Sequence, residues 1–218
     1  MDSKDVVRNG YDKASYQYRG EAEIDLNDPN LEVTLRYSEW LDRLESELPR
    51  LSRILELGCG CGLPVARRLA PQYDYTGVDL SPVQCERARQ YVPQAAIQCA
   101  DMTRLDYPNA SFDAVLAFFS IIHVPLPEQP ALFLRISDWL RPAGLFMVTI
   151  PLTAWTGTEE DWYGSGAAMY WSHASTPAYL QWLEDLRFKV DWSLFLPEGE
   201  DGFNLILARK IPSECSNC

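Results

Sequence analysis

A chain of 218 residues is long enough to bury a full core and matches one compact α/β domain. Its 47% apolar and 12% aromatic residues exclude a disordered chain. With 31 acidic against 19 basic residues the net charge is −12, so the surface as a whole repels phosphate backbones and no nucleic-acid partner is expected.

Met1 to Asp5 is too polar for a signal peptide, and no run approaches the ~20 apolar residues that span a bilayer. The expectation is a cytoplasmic protein without a membrane partner. Cys59 and Cys61 sit in a glycine turn, Cys85 and Cys99 near helix and strand positions, which fits reduced thiols. Cys215 and Cys218 form a C-x-x-C that lacks two further metal ligands, so residues 213–218 read as a flexible tail and no metal is expected.

In chain order, residues 1–50 form an N-terminal helical segment, within which Leu31, Leu35, Leu41, Leu44 and Leu48 fall near helical spacing. Arg53 to Leu57 is a short apolar strand entering a glycine turn, and Leu63 to Ala70 is a helix with Pro64 in its first turn. Tyr75 to Leu80 is a second strand ending at Asp79. The Ser81-Pro82-Val83-Gln84 sequence then supplies an N-cap, an N1 proline and a capping-box glutamine for a helix to about Tyr91. A strand at Ala96 to Cys99 leads to Asp101, and the almost continuously apolar Phe112 to Ile122 reads as a strand covered on both faces. Pro130 to Leu140 is a helix ended by Arg141-Pro142-Ala143-Gly144, and Leu145 to Ile150 is another buried strand. Residues 152–175 form the least regular stretch, a lid-like insertion. A helix from Thr176 to Leu186 precedes two strands, Lys189 to Leu196 and Phe203 to Lys210, joined as an antiparallel hairpin by Pro197 to Gly202. The expected architecture is a single domain over residues 1–212: a Rossmann-like, doubly wound α/β sheet of seven strands, mostly parallel, with the antiparallel hairpin at its C-terminal edge.

The decisive segment is Glu56-Leu57-Gly58-Cys59-Gly60-Cys61-Gly62. Glycines at alternate positions let the backbone turn sharply and approach a ligand closely. Asp79, at the end of the next strand, places a carboxylate beside that turn, able to accept hydrogen bonds from two ribose hydroxyls. Asp101 follows the third strand and adds an acceptor for an adenine amino group, with Leu80 and Met102 covering the ring faces. Dinucleotide enzymes favour G-x-G-x-x-G with a helix N-terminus holding a pyrophosphate; here the order is E-x-G-x-G-x-G and Pro64 removes a donor, which favours a ligand without phosphate.

Ile54 to Gly62, Gly77 to Ser81, Asp101, Phe112-Asp113 to His123, and Leu140 to Gly144 together resemble the successive motifs of class I S-adenosylmethionine-dependent methyltransferases of small-molecule type. The likeness covers roughly residues 10–150, and the closing hairpin is similar too. It implies S-adenosyl-L-methionine as cofactor and S-adenosyl-L-homocysteine as product. Glu56, Gly58, Cys59, Gly60 and Gly62 would border the methionine part, Asp79 the ribose, and Asp101 with Met102 the adenine. Tyr11-Asp12 and Tyr18 resemble a segment lying over the methionine carboxylate, and Phe118 would line the cofactor.

Transfer of the methyl group needs an acceptor lone pair held in line, and positioning alone supplies ~7–11 kcal/mol. His123 follows the central strand and His173 lies in the irregular stretch; either could take a proton from a hydroxyl, thiol or amine. Trp155, Trp162, Tyr163, Tyr170 and Trp171 crowd that stretch and form the expected acceptor wall. Ser120-Ile121-Ile122-His123 stands where base amino methyltransferases carry Asn-Pro-Pro-Tyr or Asp-Pro-Pro-Tyr, and no catechol-type metal cluster is present. The expected activity is methyl transfer to O, N or S of a small metabolite by a monomer or homodimer. A cofactor-binding regulatory module without turnover, and a non-methylating reaction using the same cofactor, are the competing readings.

Overall fold

The computed structural model describes residues 2–19, 31–198 and 201–212, with no side-chain description for residues 31–36. Cys215, Cys218 and the tail, and the side chains of Leu31 and Leu35, lie outside the described residues.

The chain opens with α1 (Ser3–Tyr18), capped by the Asp2 carboxylate accepting the Lys4 amide, and α2 (Leu31–Glu47). Strand and helix then alternate through β1 (Arg53–Leu57), α3 (Val65–Leu69), β2 (Asp74–Asp79), α4 (Pro82–Tyr91), β3 (Ala96–Cys99), β4 (Phe112–Ala117), α5 (Gln129–Trp139) and β5 (Leu140–Pro151). A two-stranded ribbon, β6 (Trp155–Glu159) and β7 (Met169–His173), precedes α6 (Thr176–Asp185), β8 (Phe188–Glu198) and β9 (Asp201–Lys210).

Seven strands pair in the order β3-β2-β1-β4-β5-β9-β8. β1 to β5 run parallel, as right-handed crossovers require, and β9 inserts antiparallel between β5 and β8. The expected sheet is therefore present, with β8 as the edge. β4 explains why its sequence lacks a polar face: Val115 and Ala117 pack under α5 and α6, while Ala114 and Leu116 pack under α2 and α3. Phe133, Ile136 and Trp139 of α5 and Tyr179 and Leu183 of α6 close one layer; Trp40, Leu41 and Leu44 of α2 and Val65, Ala66 and Leu69 of α3 close the other.

Several local readings need correction. β4 ends at Ala117 rather than Ile122, with a short helical turn at Ile121–His123, and β5 begins at Leu140, taking in Arg141 to Gly144. The α3 helix begins only at Val65, with Pro64 as the residue before it rather than in the first turn. The capping box before α4 is half made: Ser81 Oγ accepts the Gln84 amide at 3.1 Å, but the Gln84 side chain accepts from Ser15 Oγ and the Ser81 amide goes to Asp79. Residues 152–175 are not irregular. Trp155 to Glu159 pairs antiparallel with Met169 to His173, a ribbon that packs on α1. Gly10 permits the approach, since a Cβ there would lie 2.6 Å from Met169 Cε.

Candidate functional site

The carboxyl ends of β1, β2 and β4 meet at the glycine turn. Gly58 and Cys59 both donate to the Val78 carbonyl, at 2.7 and 3.0 Å, which folds the turn back over β2. Gly58 has φ +82°, and a Cβ on it would sit 2.3 Å from Ser120 Cβ. Only glycine serves there. A Cβ on Gly60 would meet nothing within 4 Å, so that residue fronts open space. The Gly60 amide donates to Asp79 Oδ2 at 2.8 Å and the Ser81 amide to Asp79 Oδ1 at 2.9 Å. Each oxygen thereby takes a backbone donor, with the Leu80 amide also bearing on the carboxylate, and acceptor capacity remains for a ligand. Burial lifts the Asp79 carboxyl to about 6 against these amides, which lower it.

Asp79, Leu80, Asp101, Met102, Gly58, Gly60, Phe118, Tyr11, Tyr18 and His123 line one cleft, so ten of the expected residues converge. Glu56, Cys59 and Gly62 do not reach it. Glu56 lies beneath the turn, where burial raises its carboxyl to about 8 and the Tyr75 hydroxyl donates to it. Cys59 packs against Gly77, and Gly62 seats the helices, facing Val92, Ala66 and Ala88. These three shape the turn from behind.

Asp101 is more fully engaged than its sequence position suggests. Its Oδ1 accepts both the amide and hydroxyl of Thr103, each at 2.8 Å, while Oδ2 accepts Lys4 Nζ at 2.8 Å. Lys4 also reaches Thr103 Oγ1 at 2.7 Å and Glu128 at 2.5 Å. Burial opposes the ionised carboxylate, but Lys4 and Thr103 outweigh it and hold Asp101 below its ordinary range. An incoming amino group finds one acceptor direction on Oδ2.

Lys4, Val7, Ala100, Phe119, Ser120 and Val124 line the same cleft and were not among the expected site residues; Lys4 and Val7 come from α1. The signal was available. Lys4, Val7, Tyr11, Ala14 and Tyr18 recur every three or four positions, which sets them on one face of α1. The helix lies across the cleft, zipped to α4 by polar bonds: Asp12 accepts from Ser81 Oγ at 2.5 Å, and Arg87 donates to the Ser15 and Arg19 carbonyls at 2.6 and 2.7 Å.

A second cavity of about 690 Å³ opens beside the first, which encloses about 90 Å³. Trp155, Trp162, Tyr163 and Trp171 wall it as expected, joined by Arg19, Tyr37 and Phe203. Tyr170 needs correction: it borders neither cavity, and only its carbonyl bears on the site. That carbonyl lies 2.8 Å from His123 Nδ1, and since it only accepts, Nδ1 carries the proton. His123 Nε2 is then the acceptor of the Tyr11 hydroxyl at 3.0 Å. Burial lowers His123 to about 4, so the ring is neutral with a lone pair facing the junction of the two cavities. His173 needs correction as well: it lies on β7 against Trp155, 3.0 Å from the Thr153 carbonyl, and borders neither cavity. Among the described residues no cluster of metal-ligating side chains forms.

Comparison with known proteins agrees with this geometry. Residues 54–144 match the family model described as a methyltransferase domain. The 27-O-demethylrifamycin SV methyltransferase of Amycolatopsis mediterranei is 37% identical over 113 residues, 47% of this chain and 40% of that protein. The chain spans less than half the length of the first curated relatives it matches. In fold, a 4+2 cyclase, SpnF, superposes with a TM-score of 0.71 at 20% identity, covering 97% of both chains. The 1,6-didemethyltoxoflavin-N1-methyltransferase of Burkholderia thailandensis, solved with S-adenosylhomocysteine, gives 0.67 at 19% identity over 95% of this chain and 88% of that one. Residues 54–144 are thus similar to the methyltransferase-domain family, and the seven-stranded sheet has the fold of class I S-adenosylmethionine-dependent methyltransferases.

Proposed function

We propose that the chain, as one methyltransferase domain over residues 1–212, transfers a methyl group from S-adenosyl-L-methionine to an O, N or S atom of a small metabolite. The observation that carries this is the shared wall: Tyr11, Tyr18, Phe119 and His123 border both the cleft at Asp79 and the aromatic cavity. A nucleoside cleft thus opens onto an acceptor-sized space through one window. The residues fit the cofactor, because Gly60 fronts unfilled space beside an Asp79 carboxylate with spare acceptor directions.

When bound, S-adenosylmethionine supplies a methyl group on a positively charged sulfur. Asp79 would receive the ribose hydroxyls, and Asp101 with Met102 and Leu80 would hold the adenine. Trp162, Trp171 and Tyr163 would exclude water and align the acceptor. His123 Nε2 would take the acceptor's proton at the position the Tyr11 hydroxyl now occupies. No described helix is long and apolar enough to cross a membrane, and the four described cysteines are free thiols. The proposed activity is placed in the cytoplasm, in a monomer or homodimer.

Calorimetry with S-adenosylhomocysteine tests the cofactor, and a metabolite extract with methyl-labelled S-adenosylmethionine tests the reaction. Absent binding ends the proposal. Binding without any labelled product replaces it with a regulatory module or a non-methylating reaction. The SpnF likeness in fold favours keeping a second reading, an unmethylated product formed while the cofactor stays intact, which product mass separates from the first.

A further inference from the structure

Behind the adenine side of the cleft two cysteines flank the end of β2. Cys85 lies in the first turns of α4, fully buried, and Cys99 ends β3 on the surface. Cys99 is paired in register with Asp79, and Cys85 Sγ lies 3.9 Å from the carbonyl of Gln98, the residue before Cys99. Both also touch the strand end that presents the ligand-facing carboxylate. Cys85 Sγ donates to the Asp79 carbonyl at 3.5 Å, and Cys99 Sγ approaches the Leu80 carbonyl at 4.0 Å. Leu80 and Ala100, next to these thiols, line the cleft.

We propose that Cys85 and Cys99 form a dithiol oxidation site, which a hydroperoxide converts to a disulfide that loosens the adenosine side of the cleft. Cys99 is the thiol that solvent reaches. Its sulfur attacks the peroxide: an S–O bond forms, the O–O bond breaks, and the thiol proton leaves with the alcohol or water released. The sulfur is oxidised by two electrons and the peroxide reduced by two. Cys85 then attacks the sulfenic sulfur; the S–S bond forms, the S–O bond breaks, and hydroxide takes the Cys85 proton to leave as water. Burial pushes the Cys85 thiol up, so it stays protonated and out of reach of peroxide until its neighbour has been oxidised.

The link consumes both S–H donors. The Asp79 carbonyl keeps the Ala100 amide at 2.9 Å but loses Cys85, and the Leu80 carbonyl loses Cys99. The start of α4 is drawn towards β3, and with it the Ser81 amide that anchors Asp79 Oδ1. Strand, carboxylate and adenine cover shift together.

The oxidation half stands apart from the proposed methyl transfer; the effect on binding rests on the cofactor reading above. The folded protein is treated with a small excess of hydrogen peroxide, digested without reduction, and titrated with S-adenosylhomocysteine before and after. A peptide joining Cys85 to Cys99, short of two hydrogen atoms and cleaved by dithiothreitol, is expected. Affinity should fall by about tenfold, within the usual range for coupled sites, and recover on reduction. Cys99→Ser should show neither effect while binding the reduced protein's ligand unchanged. Sulfinic or sulfonic acid at Cys99 without the cross-link overturns the proposal, as does a cross-link that leaves affinity untouched. If the reduced protein binds no S-adenosylhomocysteine, the cofactor reading fails, and absence of the cross-linked peptide remains the refuting result for the dithiol.

Discussion

Replacing Asp79 with asparagine separates what the carboxylate does for the fold from what it does for a ligand. Asparagine offers one acceptor oxygen where aspartate offers two, so either the Gly60 or the Ser81 amide would face an NH₂ group. One buried donor left unpaired costs about 1–3 kcal/mol. The charge works in the other direction: lifting the carboxyl from 3.8 to about 6 costs the ionised folded protein about 3 kcal/mol at neutral pH, which the neutral amide recovers. The two nearly cancel. Stability in urea at pH 7 should therefore move little, whereas ligand binding has no such compensation. One of two ribose hydroxyls loses a charged acceptor worth about 1.5–3 kcal/mol, a weakening of S-adenosylhomocysteine affinity of roughly 10- to 100-fold. Calorimetry and urea titration on the same preparation read both. Unchanged affinity, or affinity lost only in step with folded protein, would refute the assignment.

Glu56 carries a pH signature. Its folded carboxyl lies at about 8 against an ordinary 4.5, so the folded state holds the proton more tightly. The associated stability is complete below 4.5 and is lost as pH rises through 8. Glu56→Gln should flatten the fall in urea midpoint between pH 5 and 8, and an unaltered slope would contradict it. Gly58→Ala puts a Cβ 2.3 Å from Ser120 Cβ at a left-handed φ, for a loss of about 1–3 kcal/mol that Ser120→Gly partly restores. His123, lowered to about 4 by burial, should keep a neutral imidazole NMR signature down to pH 5; a midpoint near 6.5 would show a solvated ring.

The β-strands and the glycine turn were legible because each is marked by local chemistry: apolar runs covered on both faces, bounded by glycines, with Asp79 and Ser81 closing β2. The ribbon β6–β7 was not. Trp155, Thr156, Thr158 and Glu159 are exposed and show no buried alternation, so nothing in that segment marks it as a strand. Its connection uses left-handed Asp161, Tyr163, Gly164 and Gly166, which from sequence look only like a flexible loop. His173 was misplaced for the same reason, since an unrecognised strand gave no way to tell which of its side chains face the cavity. Lys4 was missed because a lysine near a terminus usually reads as solvated surface. Its partners Asp101, Thr103 and Glu128 are about a hundred residues away in sequence, and nothing local announces them.

The space around Asp79 makes a demand on α1. A cleft of about 90 Å³ is well below the ~300–1,000 Å³ of small-molecule sites, so an adenosine enters only if its cover moves. That cover is α1, and its attachments suit it to moving. Val7, Tyr11, Ala14 and Tyr18 pack against Trp162 and Met169 of the ribbon segment, whereas towards α4 and Asp101 the hold is polar, through Lys4, Asp12, Ser15 and the carbonyls that Arg87 reaches. Water can replace such bonds when the helix lifts, each hydrogen bond to a charged group contributing ~1.5–3 kcal/mol. Lys4→Ala removes the anchor at the adenine end, where one ammonium ties Asp101, Thr103 and Glu128 together. Hydrogen exchange across residues 4–18 should quicken in this variant and slow again on S-adenosylhomocysteine binding, while exchange in β4 and β5 stays as in the parent. Equal exchange along α1 in parent and variant would mean that the helix is fixed by other contacts and that the ligand enters another way.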